Sequence, residues 1–437
     1  MVKFSSYKKD NIRISKKNRN WINLQKNLKK IFHDTQKEIK KNNKIKLMEP
    51  TYGVEEILAA NEVLISTNVT MGKKVKEFEN TYAKKYKFKY AVSCNSGSSA
   101  NLLSLSVLTD KNLNFLKPGD EVIVSAFSWS TTIWPIIQRG LIPVFVDINL
   151  NTLNIDCEKI SKAINKKTKA IMIVHAYGNP CEMDKIVNIA KKNKLILIED
   201  CCEAMGAYYK NKSVGSFGDI STFSFYFSHH ITTLEGGICL TNSKIIRDYL
   251  KIQRSHGWIR EIDNKKNFKK YLTKFDSKFL FTSEGYNLRL TELQAAIGIS
   301  QIAKINKFVS WRRKIAKEVK NFLSNYKDII FTQEETSQSK NSYFGIAIIV
   351  NENKFFKIDE LVKYLNSKNI ETRPIICGNF TRQPGVKKFK YKIVGKLNNS
   401  DFITKNSFAI GCHQNITLQD VAYLKNTFKF FLDKKIF

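Results

Sequence analysis

The chain has 437 residues, of which 43% are hydrophobic and 12% aromatic. That is enough apolar surface for a large domain and a smaller companion, and it excludes both a disordered chain and a short binding module. Lysine and arginine number 73 against 39 acidic residues, a formal net charge of +34, but the lysines are scattered among Asn and Ile and form no basic stripe interleaved with aromatics, so nucleic acid is not an expected partner.

Eight cysteines without a C-x-x-C pair point to a reducing compartment, and to neither a disulfide framework nor a metal site. No apolar run reaches the roughly 18–20 residues of a membrane span, and the basic start has no apolar run behind it. The expectation is a cytoplasmic protein without a membrane partner.

In chain order, residues 1–47 are dense in Lys and Asn. Within them Trp21, Leu24, Leu28, Ile31 and Phe32 recur at helical spacing, which reads either as a helix packed on the main body or as a solvated tail. From about residue 86, short apolar runs at 90–93, 121–125, 143–147, 170–174 and 195–198 alternate with helix-period stretches such as 157–165 and 182–193. Buried β-branched runs separated by amphipathic helices predict an α/β fold, a mostly parallel sheet between helices, with ligands outside the carboxyl ends of the strands. Runs at 220–225 and 237–241 follow, then a helix at 244–253 and a long helical pattern from Thr291 to about Tyr326. Strand, helix, strand and helix patterns at 343–350, 358–369, 371–375 and 418–431 predict a smaller α+β C-terminal domain. The expected division is an extension at 1–47, a large domain at 48–300 and a small one at 301–437.

Three segments carry chemistry. After the first strand comes Cys94-Asn95-Ser96-Gly97-Ser98-Ser99-Ala100-Asn101, small residues at a strand-to-helix turn whose N–H groups and helix dipole suit a phosphate, or simply a capped helix. A later strand ends in Glu199-Asp200-Cys201-Cys202-Glu203, which puts Asp200 at the sheet edge. A carboxylate there can keep a ring nitrogen protonated, or cap a helix. Next comes Ser224-Phe225-Tyr226-Phe227-Ser228-His229-His230, closed by Glu235-Gly236-Gly237; two of only six histidines are adjacent here.

These segments, in this order, together with Gly285-Tyr286-Asn287-Leu288-Arg289, resemble the pyridoxal-phosphate sugar aminotransferases of the DegT/DnrJ/EryC1/StrS group, from about residue 47 to the end. The resemblance implies the type I aminotransferase fold and a coenzyme held by Gly97, Ser98 and Ser224 at its phosphate, with Asp200 at its ring nitrogen, Trp129 stacked on its ring and Glu203 beside its hydroxyl. Asn287 would reach the phosphate site of a neighbouring subunit, which implies a homodimer with shared active sites.

The departures are informative. His229 stands where the aminotransferases of this group keep their Schiff-base lysine, and Leu234 stands where glycine is usual. A histidine offers no amine for covalent anchorage, so the chain resembles the dehydratase branch of the group. There pyridoxal or pyridoxamine phosphate is bound non-covalently, and a histidine moves the proton as the 3-hydroxyl leaves a nucleotide-linked 4-keto-6-deoxyhexose. L-glutamate restores the coenzyme. An imidazole, with an ordinary pKa of about 6.5, suits that double duty.

The iron–sulfur members of the branch, which act on a CDP-sugar, cluster cysteines before the G-Y-N run, whereas residues 242–285 hold none here. That favours a glutamate-driven enzyme on a GDP-sugar, in a deoxysugar pathway for surface polysaccharide. The alternatives are an iron–sulfur dehydratase, a nucleotide-sugar aminotransferase, and a basic nucleic-acid binder on an inactive enzyme fold. Further candidates for the sugar pocket are His175 and His230, each equally readable as a core histidine, and Arg373 and Asn379.

Overall fold

The computed structural model describes residues 18–40, 44–263, 265–276 and 278–436. Seven strands of the large sheet come early in the chain: β1 (Tyr90–Cys94), β2 (Glu121–Ser125), β3 (Ile142–Val146), β4 (Thr168–Val174), β5 (Ile196–Asp200), β6 (Ile220–Ser224) and β7 (Gly237–Thr241). Five more follow: β8 (Ile330–Thr332), β9 (Ile346–Val350), β10 (Thr372–Pro374), β11 (Lys392–Ile393) and β12 (Ser407–Ile410). The large sheet runs β1-β7-β6-β5-β4-β2-β3-β11, all parallel apart from β7, which is antiparallel to both its neighbours.

Side chains alternate across this sheet because successive residues of a strand face opposite ways. Val122, Val124 and Met172 pack with Leu103, Leu105, Ile133 and Ile136 of the helices Gly97–Leu108 and Ser130–Gln138. Ile123, Ile171 and Ile173 pack on the other face with Ile160 and Ile186 of Cys157–Ala163 and Met183–Lys192. The sheet is therefore covered on both sides, which is why its strands read as continuous apolar runs.

The smaller sheet is antiparallel, β8-β9-β12-β10, and its core is shared with the helices Ile358–Ser367 and Leu418–Ile436 through Leu361, Leu365, Leu424 and Phe428. The helix Glu292–Leu323 joins the two layers. Thr291 and Gln294 close a capping box at its start, its first half packs Ala295, Ile302 and Ile305 against Phe78 and Phe225, and its second half packs Ile315, Val319 and Leu323 into the small-sheet core. At 32 residues it is about 48 Å long, given the roughly 1.5 Å rise per residue of an α-helix.

Three of these strands have no counterpart in the sequence reading, among them β8 with three residues. β12 has only four residues, and β11, which lies between residues 301 and 437, pairs in parallel with β3 of the large sheet. The Lys392 ammonium holds it there on the buried Glu121 carboxylate at 2.6 Å.

Within the N-terminal extension, residues 1–17 and 41–43 lie outside the described residues. Arg19–Lys40 is a helix. Trp21 is buried and Leu28 and Phe32 are half-buried, while Ile31 and Ile39 are exposed. Among the described residues no helix is long and apolar enough to cross a membrane.

Candidate active site

The carboxyl ends of β1, β6 and β5 meet at one edge of the large sheet, and the start of β7 explains how closely they meet. Gly237 pairs with Cys94 on one side and Ser224 on the other. A Cβ on Gly237 would stand 2.1 Å from the Ser96 carbonyl oxygen, so only glycine lets the turn after β1 approach β7. Gly97 is equally constrained: its Cβ would lie 2.5 Å from Ser224 Cβ and 3.2 Å from Cys202 Sγ. The helix Gly97–Leu108 thus begins directly against Ser224. The Ser96 hydroxyl takes the Ser99 N–H at 3.0 Å, leaving the first-turn N–H groups of Gly97 and Ser98 without an intrahelical acceptor. These groups form a cradle for an anion.

Asp200, the last residue of β5, is 4% exposed. Its Oδ2 accepts hydrogen bonds from Asn101 Nδ2 and the Thr132 hydroxyl, both at 2.8 Å, and its Oδ1 accepts the Cys202 N–H at 3.1 Å. Asn101 is in turn held by the Thr222 hydroxyl at 2.6 Å. The carboxylate is thereby fixed in place at the sheet edge. The supporting trio of Asn101, Thr132 and Thr222 was not singled out by sequence reasoning, although Asn101 sits in the small-residue run itself.

Trp129 follows β2 at the start of the helix Ser130–Gln138 and is 48% exposed, so its indole face is open rather than part of the core. Glu203 accepts the Tyr177 N–H at 2.9 Å. Burial, reinforced by Asp200 and opposed by the Tyr177 N–H and Arg373, raises its pKa to about 7.

The loop from Phe225 to Gly236 carries the histidine pair. It is closed by the Phe225 N–H on the Gly236 carbonyl and by the Thr233 N–H on the Phe225 carbonyl. Leu234 adopts a left-handed backbone (φ +73°), with its N–H on the Thr232 hydroxyl at 2.8 Å. The loop keeps its path without the usual glycine, at the cost of strain in an L-residue. His229 is half-buried. Burial lowers its pKa to about 4; the Cys202 backbone works against that shift, and Arg312 and Arg373 work with it. The imidazole is therefore neutral at pH 7 and competent to accept a proton.

Over residues 50–429 the chain matches the DegT/DnrJ/EryC1/StrS aminotransferase family. It belongs to that family. GDP-4-keto-6-deoxy-D-mannose 3-dehydratase of Escherichia coli O55:H7 is 41% identical over 386 residues, 88% of this chain and 99% of that enzyme. dTDP-4-dehydro-2,6-dideoxy-D-glucose 3-dehydratase of Saccharopolyspora spinosa is 38% identical over 392 residues, 87% of this chain and 85% of the relative. A crystal structure of GDP-4-keto-6-deoxymannose-3-dehydratase with a trapped PLP-glutamate geminal diamine superimposes with a TM-score of 0.81 at 39% identity, covering 87% of this chain and 99% of that one. The chain has the aminotransferase fold of these relatives.

Pyridoxal phosphate, the family coenzyme, fits the residues present. The cradle at Gly97 and Ser224 admits no Cβ, the Asp200 carboxylate is buried and fixed, and an exposed indole stands at the carboxyl end of β2, two strands from β5.

Of the residues proposed for the sugar pocket, Arg373 is half-buried and lines one cavity with Tyr177, Ser228 and Phe344, and its charge acts on Glu203 and His229. The other three are held by protein groups. His175 is fully buried: its Nε2 meets Glu199 Oε2 at 3.2 Å and its Nδ1 accepts the Cys181 N–H at 3.0 Å. It forms a close group with Glu199 and Cys201, but the Glu199 oxygens already accept the N–H groups of Gly215, Phe217 and Gly218, so the group is satisfied as core. His230 is fully buried with Nε2 on the Ser342 carbonyl at 3.1 Å. Asn379 is 1% exposed and spends its amide on Thr381 and Asp401, capping a short turn.

Asn287 is exposed, and the Leu288 carbonyl beside it takes the Asn95 N–H at 2.9 Å, which stitches this segment to the cradle turn.

Proposed function

We propose that the chain is a coenzyme-dependent 3-dehydratase of a nucleotide-linked 4-keto-6-deoxyhexose, GDP-4-keto-6-deoxymannose in the first instance. L-glutamate is the co-substrate, and the enzyme works in the cytoplasm as a homodimer whose sites are completed by Asn287 of the neighbouring subunit. Residues 48–300 form the coenzyme domain, 301–437 the smaller domain that brings Arg373 to the site, and 1–47 an extension. The observation that carries the reading is His229: the loop from Phe225 to Gly236 contains no lysine, and its half-buried imidazole lies on the Cys202 backbone within electrostatic reach of Arg373.

When bound, pyridoxamine phosphate supplies an amine and a conjugated ring able to take up an electron pair. Gly97, Ser98 and Ser224 hold its phosphate, Asp200 favours the protonated ring nitrogen, and Trp129 covers the ring. Glu203 lies beside the ring hydroxyl. His229 would take a proton from the coenzyme carbon that bears the amine, leaving its electron pair to expel the C3 oxygen, and would give that proton to the departing oxygen, which leaves as water. Arg373 offers a fork of donors to an anionic or hydroxylated part of a substrate. Overall the sugar loses one oxygen and gains two electrons. Glutamate loses two electrons and yields 2-oxoglutarate and ammonia, so atoms and electrons balance.

The test is mass spectrometry of the product formed from pyridoxal phosphate, L-glutamate and GDP-4-keto-6-deoxymannose. A keto sugar lighter by one oxygen is expected. An amino sugar that keeps its 3-hydroxyl overturns the reading in favour of an aminotransferase, and turnover confined to dTDP- or CDP-sugars overturns the choice of nucleotide.

A further inference from the structure

The hydrogen-bond support of the His229 imidazole is confined to the Cys202 backbone. Its Nδ1 is buried without a hydrogen-bond partner, so no hydrogen bond at that atom fixes tautomer and ring plane in the usual way. The side chains in ring contact with it are aromatic. Phe344 stands 5.0 Å away, tilted by 38°, and reaches His230 at 6.2 Å; Tyr226 meets His229 edge-on at 6.3 Å.

Phe344 comes from the segment that leads into β9, and its backbone is held at both ends. Its N–H donates to the Tyr177 carbonyl at 3.1 Å, and its carbonyl accepts from Arg312 Nη1 at 3.2 Å. The same Arg312 nitrogen donates to the carbonyls of Tyr343 at 3.0 Å and Cys412 at 2.5 Å. Arg312 is 2% exposed and makes no ion pair among the described residues, so its role is to gather these carbonyls. Two residues before Phe344, the Ser342 carbonyl fixes His230. The long helix, the lead-in to β9 and the histidine loop are thus locked together around one imidazole.

We propose that Phe344, fixed by Arg312, is a positioning residue that sets the plane of the His229 imidazole and shields it from water. This rests on the reading of His229 as the proton carrier. The charged and titratable groups around His229 are Arg312 on the long helix, Arg373 on β10, His230 and Tyr226 on its own loop, and Cys202 after β5. A Phe344 substitution leaves all of these in place and changes only the cover.

The experiment is NMR of full-length protein carrying 13C-labelled histidine, with and without pyridoxal phosphate, the His229 signal being assigned by its loss in His229→Asn. In the wild type this signal is expected to titrate with a midpoint near pH 4. In Phe344→Leu its midpoint moves upward by about one pH unit, toward the ordinary histidine value of about 6.5. The kcat for deoxygenation falls about tenfold, in line with the sensitivity of catalysis to small misplacements, while KM for the nucleotide sugar stays within about twofold. Phe344→Tyr, which keeps the ring, restores both. Arg312→Lys, which keeps the charge but loses the fork, moves the midpoint in the same direction as Phe344→Leu.

An unchanged His229 titration in Phe344→Leu overturns the proposal, as does a loss of kcat with no change in that titration. Should the wild type make no deoxygenated sugar, the dehydratase reading falls, while the titration still decides whether Phe344 positions His229.

Discussion

The floor and the wall of the site are built on opposite plans. On the floor, at the strand ends, polar groups are tied into a closed set: Asp200 is held by Asn101, Thr132 and the Cys202 N–H, and Ser224 sits against Gly97 with no room for a methyl group. On the wall, where the histidine loop meets the smaller domain, ionisable groups lack full partners. His229 has a bare Nδ1, and burial holds Glu203 far above the usual carboxylate range. A fixed floor positions a coenzyme, whereas a wall with groups poised to gain or lose protons does chemistry.

The sharpest way to break this contrast is at His229. His229→Asn should lower deoxygenation by about 10³-fold, within the range attributed to a positioned acid–base group, while coenzyme binding, read from its visible absorbance, stays near the wild-type level. Retained deoxygenation would move the chemistry off the wall. Loss of coenzyme would mean that the wall also serves as floor.

Glu203 gives a second test through pH. Its folded pKa of about 7 lies above its ordinary value of 4.5. Between these values the folded state binds more protons than the unfolded one, so this contribution is fully present below about pH 4.5 and is lost as pH rises through 7. Glu203→Gln keeps an acceptor for the Tyr177 N–H and removes that loss. It should gain about 1–3 kcal/mol relative to wild type at pH 8 and little at pH 4.5, since a tenfold difference in proton affinity between the folded and unfolded chain is worth about 1.4 kcal/mol. Parallel denaturation curves at the two pH values check it, and an equal gain at both would deny the group its raised pKa. The histidines act in the opposite sense. His229 and His413 have folded pKa values of about 4, and the stability they lend is lost as pH falls from about 6.5 toward 4.

For the floor, Gly97→Ala should cost about 1–3 kcal/mol, the usual penalty of overpacking, because its methyl group would meet Ser224 Cβ at 2.5 Å. Coenzyme affinity should fall with it. Combining it with Ser224→Gly relieves the clash but removes a hydroxyl from the cradle, so stability should return while affinity does not. Full recovery of affinity would show that Ser224 holds no phosphate.

How far the sequence reading reached follows the same division. The floor lies in contiguous runs at strand ends, and a parallel sheet sends such ends to one edge, so Gly97, Asp200 and Ser224 were readable together. Trp129 was readable as a residue but not as an exposed one. The wall depends on which residues of distant segments meet, and nothing local marks that Phe344 covers His229. The histidines show the limit most clearly. His175 and His229 both follow apolar strands, yet one is surrounded by Glu199 and the Cys181 N–H in the core and the other is half-buried against Phe344. Only tertiary packing separates them. Asn379 shows a related limit: a side chain that caps its own turn looks in sequence like one available to a ligand.

Leu234 offers the smallest and cleanest test, because it belongs to the histidine loop yet touches the chemistry only through backbone path. It is 41% exposed and sits at φ +73°, where a side chain costs about 1–2 kcal/mol relative to glycine. Glycine also adds freedom to the unfolded chain, at about 0.4–1 kcal/mol. The net expected for Leu234→Gly is a gain of about 0.5 kcal/mol, with kcat unchanged, read as a small rise in thermal midpoint at fixed pH. If stability rises but kcat falls, the strained backbone helps to aim His229, and the wall extends back to the turn that closes its loop. If stability falls, the Leu234 side chain has contacts that outweigh its backbone strain, such as those a second subunit laid over this exposed residue would provide.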